Sequence, residues 1–133
     1  MIIDFKSKPY NAAVPLTPEE LRLRTRQFAV RIFRLCRALP KSREADVVAR
    51  QILRSGSSVA ANYRAVCRSG SKADFIAKLG VVIEEVDETL FWLELLVDTN
   101  ILAARKLSKL MDEANQQTAI FVASRETLRG NRD

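Results

Sequence analysis

The sequence predicts an all-α domain, an antiparallel up-and-down four-helix bundle, and three observations carry that expectation. Apolar residues at Ile76, Leu79, Ile83, Val86, Leu90, Leu93 and Val97 recur at alternating spacings of three and four, which places them on one face of a long helix. Thr17 with Glu20 and Ser71 with Asp74 form capping pairs, each just ahead of an apolar periodic run. The runs are separated only by short breakers, Pro40, Ser69-Gly70-Ser71 and Asp98-Thr99-Asn100, so successive helices must turn back on one another. With 47% apolar residues, 29% charged residues and only 4 Gly and 4 Pro in 133 residues, the chain reads as one ordered domain without strands.

Residues 1–16 contain Pro9 and Pro15 and show no helical period, so they are expected to form an extended arm, with Ile3 and Phe5 docking on the domain. Residues 17–128 make up the bundle. Helix one opens at Thr17-Pro18-Glu19-Glu20, where Pro occupies the first helical position, and closes at Leu39 ahead of Pro40. Its expected core face is Leu21, Phe28, Ile32, Leu35 and Leu39. Helix two spans roughly Ser42 to Cys67 and turns Ala45, Val48, Ile52, Val59 and Val66 inward, with Ser55 and Asn62 on the same seam. Ser55, Gly56, Ala60 and Ala61 carry little bulk, which lets a neighbouring backbone approach closely, and Gly56 costs about 1 kcal/mol of helix propensity relative to Ala. Asn62 is either a satisfied structural amide or a ligand contact.

Helix three follows Ser71, and its end from Leu90 to Val97 is apolar nearly all round. Helix four runs from about Ala103 to Leu128, with Leu107, Leu110, Met111, Ala114, Phe121 and Leu128 inward. Residues 129–133 form a short basic tail.

The run from Phe33 through Leu96 contains RQILRSGSSVAANYRA, SKADFI and EEVDETLFWLELL. In that order the segments resemble the small bacterial four-helix-bundle family named after the protein encoded in intervening sequences of 23S ribosomal RNA, across both central helices. The resemblance implies a ring-like homo-oligomer, typically a pentamer, with a role connected to nucleic acid. A related group, the accessory proteins of diversity-generating retroelements, binds a reverse transcriptase and RNA. Many relatives continue from the Asn as NIAEG, whereas this chain reads NYRAV, so Ala65 and Val66 replace the Glu-Gly pair and Arg64 precedes them. The resemblance transfers no catalytic residue.

Helical geometry supports association independently of that likeness. Leu23, Val30 and Phe33 fall opposite the core stripe of helix one, among Arg22, Arg26, Arg34 and Arg37. A monomeric bundle has no use for this second stripe unless the N-terminal arm covers it. Together with Phe91, Trp92 and Leu95 it predicts an oligomer interface.

The net charge of +6 is unevenly spread. Helix one carries six Arg against Glu19 and Glu20, while helix three and its end carry Asp74, Glu84, Glu85, Asp87, Glu88, Glu94 and Asp98 against Lys72 and Lys78. On helix two, Arg43, Arg50 and Arg64 repeat at multiples of seven, with Arg54 and Arg68 beside that line and away from the buried seam. These five arginines are the candidate nucleic-acid-binding stripe, since a planar guanidinium grips two phosphate oxygens and neutralised phosphates make binding salt-sensitive. The competing reading pairs the arginines with the acids of helix three. Tyr63 is the one aromatic residue near the stripe, so base stacking is not indicated.

Other functions find little in the sequence. The chain has no histidine, which removes Ser-His and Cys-His pairs, His-bearing zinc sites and the Glu-x-x-His ligands of di-iron bundles. Glu84, Glu85, Asp87 and Glu88 are a solvated acidic face rather than a metal site, neither Cys36 nor Cys67 sits in a C-x-x-C motif, and no glycine-rich phosphate loop occurs. No enzymatic activity, metal or cofactor is expected. No apolar run reaches the roughly 18 residues a membrane span needs, and the first ten residues lack the features of a signal peptide, so a reducing cytoplasm is the expected compartment. Two readings stand: a basic homo-oligomeric module that binds structured RNA or DNA, and a structural or accessory scaffold for a protein partner such as a polymerase.

Overall fold

The computed structural model describes residues 16–130, so the arm at 1–15 and the last residues, 131–133, lie outside the described residues. Four helices follow in order: α1 Pro18–Ala38, α2 Arg43–Val66, α3 Lys72–Asp98 and α4 Ala104–Gly130. Three of them start where a hydroxyl replaces the missing helical acceptor. Thr17 Oγ1 accepts from Glu20 N, Ser42 Oγ from Ala45 N and Ser71 Oγ from Asp74 N, each at 3.1 Å. The helix α3 terminus is closed by Asn100, whose φ of 59° places it in the left-handed region. The turn lets Asn100 N donate to Val97 O and Ile101 N to Leu96 O, both at 3.0 Å, which satisfies carbonyls that would otherwise be orphaned. Helix α4 continues to Gly130, so Arg129 of the expected tail is helical.

Contacts run α1 to α2, α2 to α3 and α3 to α4, with slight contact between α1 and α4, so α1 and α3 occupy opposite corners. Their direction follows from which residues meet. On α1 and α2, Ile32 lies against Gly56 while Cys36, further along α1, meets Ala49, earlier on α2. Arg54 and Ser55 of α2 meet Glu85, Glu88 and Thr89 of α3, residues about equally distant from the 67–71 turn. By these contacts α2 runs antiparallel to both α1 and α3, as the short connections predict.

The core lies along the axis, formed by fully buried Phe28, Ile32, Ile52, Val59, Val82, Val86, Leu93, Leu96, Leu107 and Phe121. The small-residue segment of α2 serves two neighbours. A Cβ at Gly56 would stand 3.0 Å from both Ile32 Cγ1 and Cγ2, so α1 approaches α2 closely at this position. Next to it, the Thr89 hydroxyl of α3 makes a 2.9 Å hydrogen bond with Ser55 Oγ, and both groups are buried.

Several inward positions differ from the expected ones. On α3 the buried residues are Leu79, Val82, Val86, Thr89, Leu93 and Leu96, while Ile76, Ile83, Leu90 and Val97 are only half-buried. Helix α3 packs on both α2 and α4, so its contact arc is wider than a single seam and its centre rotates toward α2. On α2, Tyr63 enters the core, its ring centroid 5.2 Å from that of Phe121, while Asn62 stays half-buried. The Asn62 amide donates to Ser58 O at 2.9 Å and to Ser58 Oγ at 2.7 Å, so it is satisfied inside its own helix and off the buried seam. On α1, Leu35 and Leu39 are half-buried at the end of the bundle. On α4, Met111 and Leu128 are half-buried, and Glu113, Gln117 and Ile120 take fully inward places.

Glu113 has a cation beside it. Arg24 of α1, 2% exposed, donates from Nε to Glu113 Oε2 at 2.6 Å and from one terminal nitrogen to Glu113 Oε1 at 2.9 Å. Gln116 Oε1 accepts from Arg24 at 2.7 Å, and Gln117 Nε2 donates to Glu113 Oε2 at 2.8 Å. This fork ties α1 to α4 where apolar contact between them is thin.

Candidate nucleic-acid interface

The five arginines predicted to bind nucleic acid are all exposed: Arg43, Arg50, Arg54 and Arg64 on the outer side of α2, and Arg68 in the turn just after it. They do not form one uniform stripe. Arg54 is held by two carboxylates of α3: it bonds to Glu88 and reaches Glu85 at 3.4 Å. Arg54 therefore leaves the set available to a ligand, as the competing reading anticipated for the whole stripe. The cause is topological, because the turn at 67–71 folds the acidic middle of α3 back onto the middle of α2.

Toward the C-terminal end of α2, its neighbour on the exposed side is the start of α1. There Arg64 and Arg68 converge with Arg22 and Arg26 on an open groove of about 570 Å³, with Leu23, Ser57, Ala60 and Ala61 as the remaining lining. Arg22 and Arg26 are spaced i to i+4 on α1, so they stand one above the other about 6 Å apart along that helix, while Arg64 lies in the last turn of α2 and Arg68 in the turn that follows it. Among the described residues, none of these four arginines makes an ion pair. Arg43 and Arg50 continue the exposed line on the N-terminal half of α2, outside the groove. The contribution of Arg22 and Arg26 was visible only as arginines interleaved with the outer apolar stripe of α1; their antiparallel pairing with the end of α2 gives the i to i+4 spacing its meaning.

The residues predicted to form an oligomer interface divide as well. Val30, Phe33 and Phe91 are 42%, 44% and 50% exposed. Leu23 is half-buried in the wall of the arginine groove, and Leu95 is half-buried in a dimple of about 280 Å³ shared with Phe91, Glu94, Val97, Asp98 and Met111. Trp92 is not an outward residue: it packs against the core, stacks edge-on with Phe91 at 4.9 Å, and donates its indole N–H to Glu88 Oε2 at 3.1 Å.

Glu88 thus accepts from Arg54 and Trp92 at once, and these contacts, Arg54 foremost, hold its carboxyl below the ordinary glutamate value of 4.5. A depressed folded-state value means that the stabilising contribution is present above the unfolded value and is lost as pH falls through the folded one. Trp92 is the single tryptophan, so its fluorescence reports this protonation. The expected midpoint of that acid titration lies below 4.5 in the native protein and rises toward it in Arg54→Ala. An unchanged midpoint in the variant would remove Arg54 as the cause.

Among the described residues, no group of three or more acids or cysteines stands close enough to hold a metal ion, and no helix is long and apolar enough to cross a membrane. Cys36 and Cys67 are unpaired.

The chain matches no curated protein. It is similar to the crystal structure of a protein of unknown function from the S23 ribosomal protein family of Bacteroides thetaiotaomicron VPI-5482, at 31% identity and a TM-score of 0.77. The alignment covers 84% of this chain and 99% of that one. Residues 20–123, from the first turn of α1 through most of α4, match the family described as 23S rRNA-intervening sequence protein. That span takes in both walls of the arginine groove and the Arg24–Glu113 fork, and on it the chain belongs to the 23S rRNA-intervening sequence protein family.

Proposed function

We propose that this chain is a non-enzymatic, self-associating helical bundle that binds structured nucleic acid, RNA or DNA, through its phosphate backbone. One observation carries the reading: Arg22, Arg26, Arg64 and Arg68 converge on one groove, with no carboxylate paired to them among the described residues. Four guanidinium groups held together repel one another, and a polyanion relieves that repulsion while displacing its own counterions. Arg43 and Arg50 extend the positive line along α2. Among the described residues the groove holds no aromatic side chain, so recognition rests on charge and shape rather than on base stacking. Association of several copies would repeat the groove and strengthen its field. The family's description as a protein of 23S rRNA-intervening sequences accords with an RNA partner.

A gel-shift titration in salt, with a structured RNA and a DNA duplex, tests the reading. Replacing all four groove arginines by alanine is expected to lower the log–log salt slope by about 3 to 4 per bound groove. Arg54→Ala is expected to leave the slope unchanged, because its charge is already spent on Glu85 and Glu88. Absence of retardation at low salt, or an unaltered slope in the four-arginine variant, sinks the proposal.

One feature of the groove favours a second reading. Leu23, Ala60 and Ala61 give it an apolar lining between the arginines, which also suits an acidic amphipathic helix of a protein partner such as a polymerase. Capture that survives nuclease treatment would select this scaffold role.

A further inference from the structure

The groove between the start of α1 and the end of α2 gathers more positive charge than a nucleic acid backbone can answer over so short a length. Arg22, Arg26, Arg64 and Arg68 are exposed and line one opening of about 570 Å³, a volume typical of small-molecule sites. Arg22 and Arg26 stand one helical turn apart, about 6 Å, and the other two converge on the same opening. One strand of a duplex advances about 3.4 Å for each charge it carries, so about two phosphates span that turn. They leave the four guanidinium groups half neutralised.

A chain of three condensed phosphoryl groups answers the charge more fully. Each phosphoryl has a strongly acidic proton and the terminal one a second with a pKa of about 6, so the chain carries about four negative charges at neutral pH over a comparable length. We infer that the groove binds a condensed phosphate chain, the group shared by nucleoside triphosphates, the 5′-triphosphate end of an RNA and inorganic polyphosphate. The inference deepens the function proposed above, resting on the same open arginines, and names the ligand group that matches them.

Three features of the lining favour this ligand. Ser57, Ala60 and Ala61 are small, which leaves room for a slender chain between the arginines. The Ser57 hydroxyl donates to Arg54 O at 3.1 Å, so its proton is committed and the guanidinium forks are the donors that meet the ligand. A fork grips two oxygens, and every phosphoryl of a condensed chain offers them. Finally, among the described residues no carboxylate lines the groove, so nothing there repels the chain.

Calorimetric titration at low salt tests this, without divalent cations, which would mask phosphate charge. Sodium tripolyphosphate is expected to bind at least about tenfold more tightly than inorganic phosphate, because each added charge gains Coulomb energy against the arginines. Replacing all four groove arginines by alanine should abolish that preference, with helicity retained by circular dichroism because the positions are exposed. Arg54→Ala removes a charge already paired with Glu85 and Glu88 and should leave the preference intact. ATP, and one hairpin RNA carrying either a 5′-triphosphate or a 5′-hydroxyl, distinguish the sources. A gain of about tenfold for the triphosphorylated hairpin assigns the groove to RNA ends. Tight binding of ATP without that gain assigns it to free nucleotides, and tripolyphosphate binding with neither assigns it to inorganic polyphosphate.

Tripolyphosphate bound no more tightly than phosphate, or a preference that survives in the four-arginine variant, overturns the inference. If the 5′-hydroxyl hairpin is still retarded in a salt-dependent way, the nucleic-acid reading stands without it. Loss of both that retardation and tripolyphosphate binding overturns the two together.

Discussion

Glu113→Ala is expected to lower the unfolding free energy by about 3–5 kcal/mol, because it leaves the Arg24 guanidinium buried without its counter-charge. Arg24 is 2% exposed and spends two of its donors on Glu113, so water cannot take over the lost contacts without opening the α1–α4 boundary. The change also deprives Gln117 Nε2 of its acceptor, and Gln117 is fully buried. Denaturant unfolding should show a lower midpoint at nearly constant slope, since the exposed area on unfolding hardly changes. The informative companion is the double variant Arg24→Met/Glu113→Leu, which removes both charges and fills the space with apolar groups. Its expected stability lies near or above that of the unaltered protein, because desolvating an ion pair costs about as much as the pair returns. A loss under about 1 kcal/mol in Glu113→Ala would show that the fork is wetter and weaker than its geometry implies.

Gly56→Leu is the second large effect, a loss of about 3 kcal/mol arising from overpacking rather than from a missing contact. Even the first added carbon would stand 3.0 Å from the Cγ1 methylene and the Cγ2 methyl of Ile32, and a leucine projects further into the same space. Ile32 is fully buried and β-branched, so it has few other rotamers to adopt. The double variant Gly56→Leu/Ile32→Ala separates this cause from others. Ile32→Ala alone should cost about 2–5 kcal/mol through its cavity, and the leucine should fill part of that cavity. The two losses are therefore expected to fall short of adding, and strict additivity would show that the glycine serves something other than the approach of α1.

The residues themselves announced much of the architecture. Thr17, Ser42 and Ser71 head their helices because a hydroxyl accepts the first free N–H groups, a local event within three residues. Asn100 ends α3 for an equally local reason, since it tolerates the left-handed turn better than most side chains. The small segment around Gly56 signalled a close approach, although not which neighbour would come near. Where the expected positions shifted, the reason lay in packing. Asn62 and Tyr63 are adjacent on α2, and helical period alone tolerates a small rotation between them; contact with Phe121 of α4 turns Tyr63 inward.

The candidate site was less legible. Arg54, Arg64 and Arg68 look equivalent along the chain, yet the first meets the acids of α3 and the other two, at the end of α2 and in the turn after it, meet arginines of α1. Trp92 and Phe91 looked alike in an apolar run, but the indole N–H finds Glu88 while Phe91 stays 50% exposed. Arg24 was one of six arginines on α1, and its burial depends on an acid 89 residues away.

The sequence by itself determined the helices, their caps and turns, the antiparallel order and the excess of positive charge, because each depends on neighbours within a few turns of the same helix. Only the tertiary structure decided which arginines remain open to a polyanion and which are neutralised or buried. A charge is paired or free according to what stands within about 4 Å of it, and in a bundle that neighbour comes from another helix, dozens of residues along the chain.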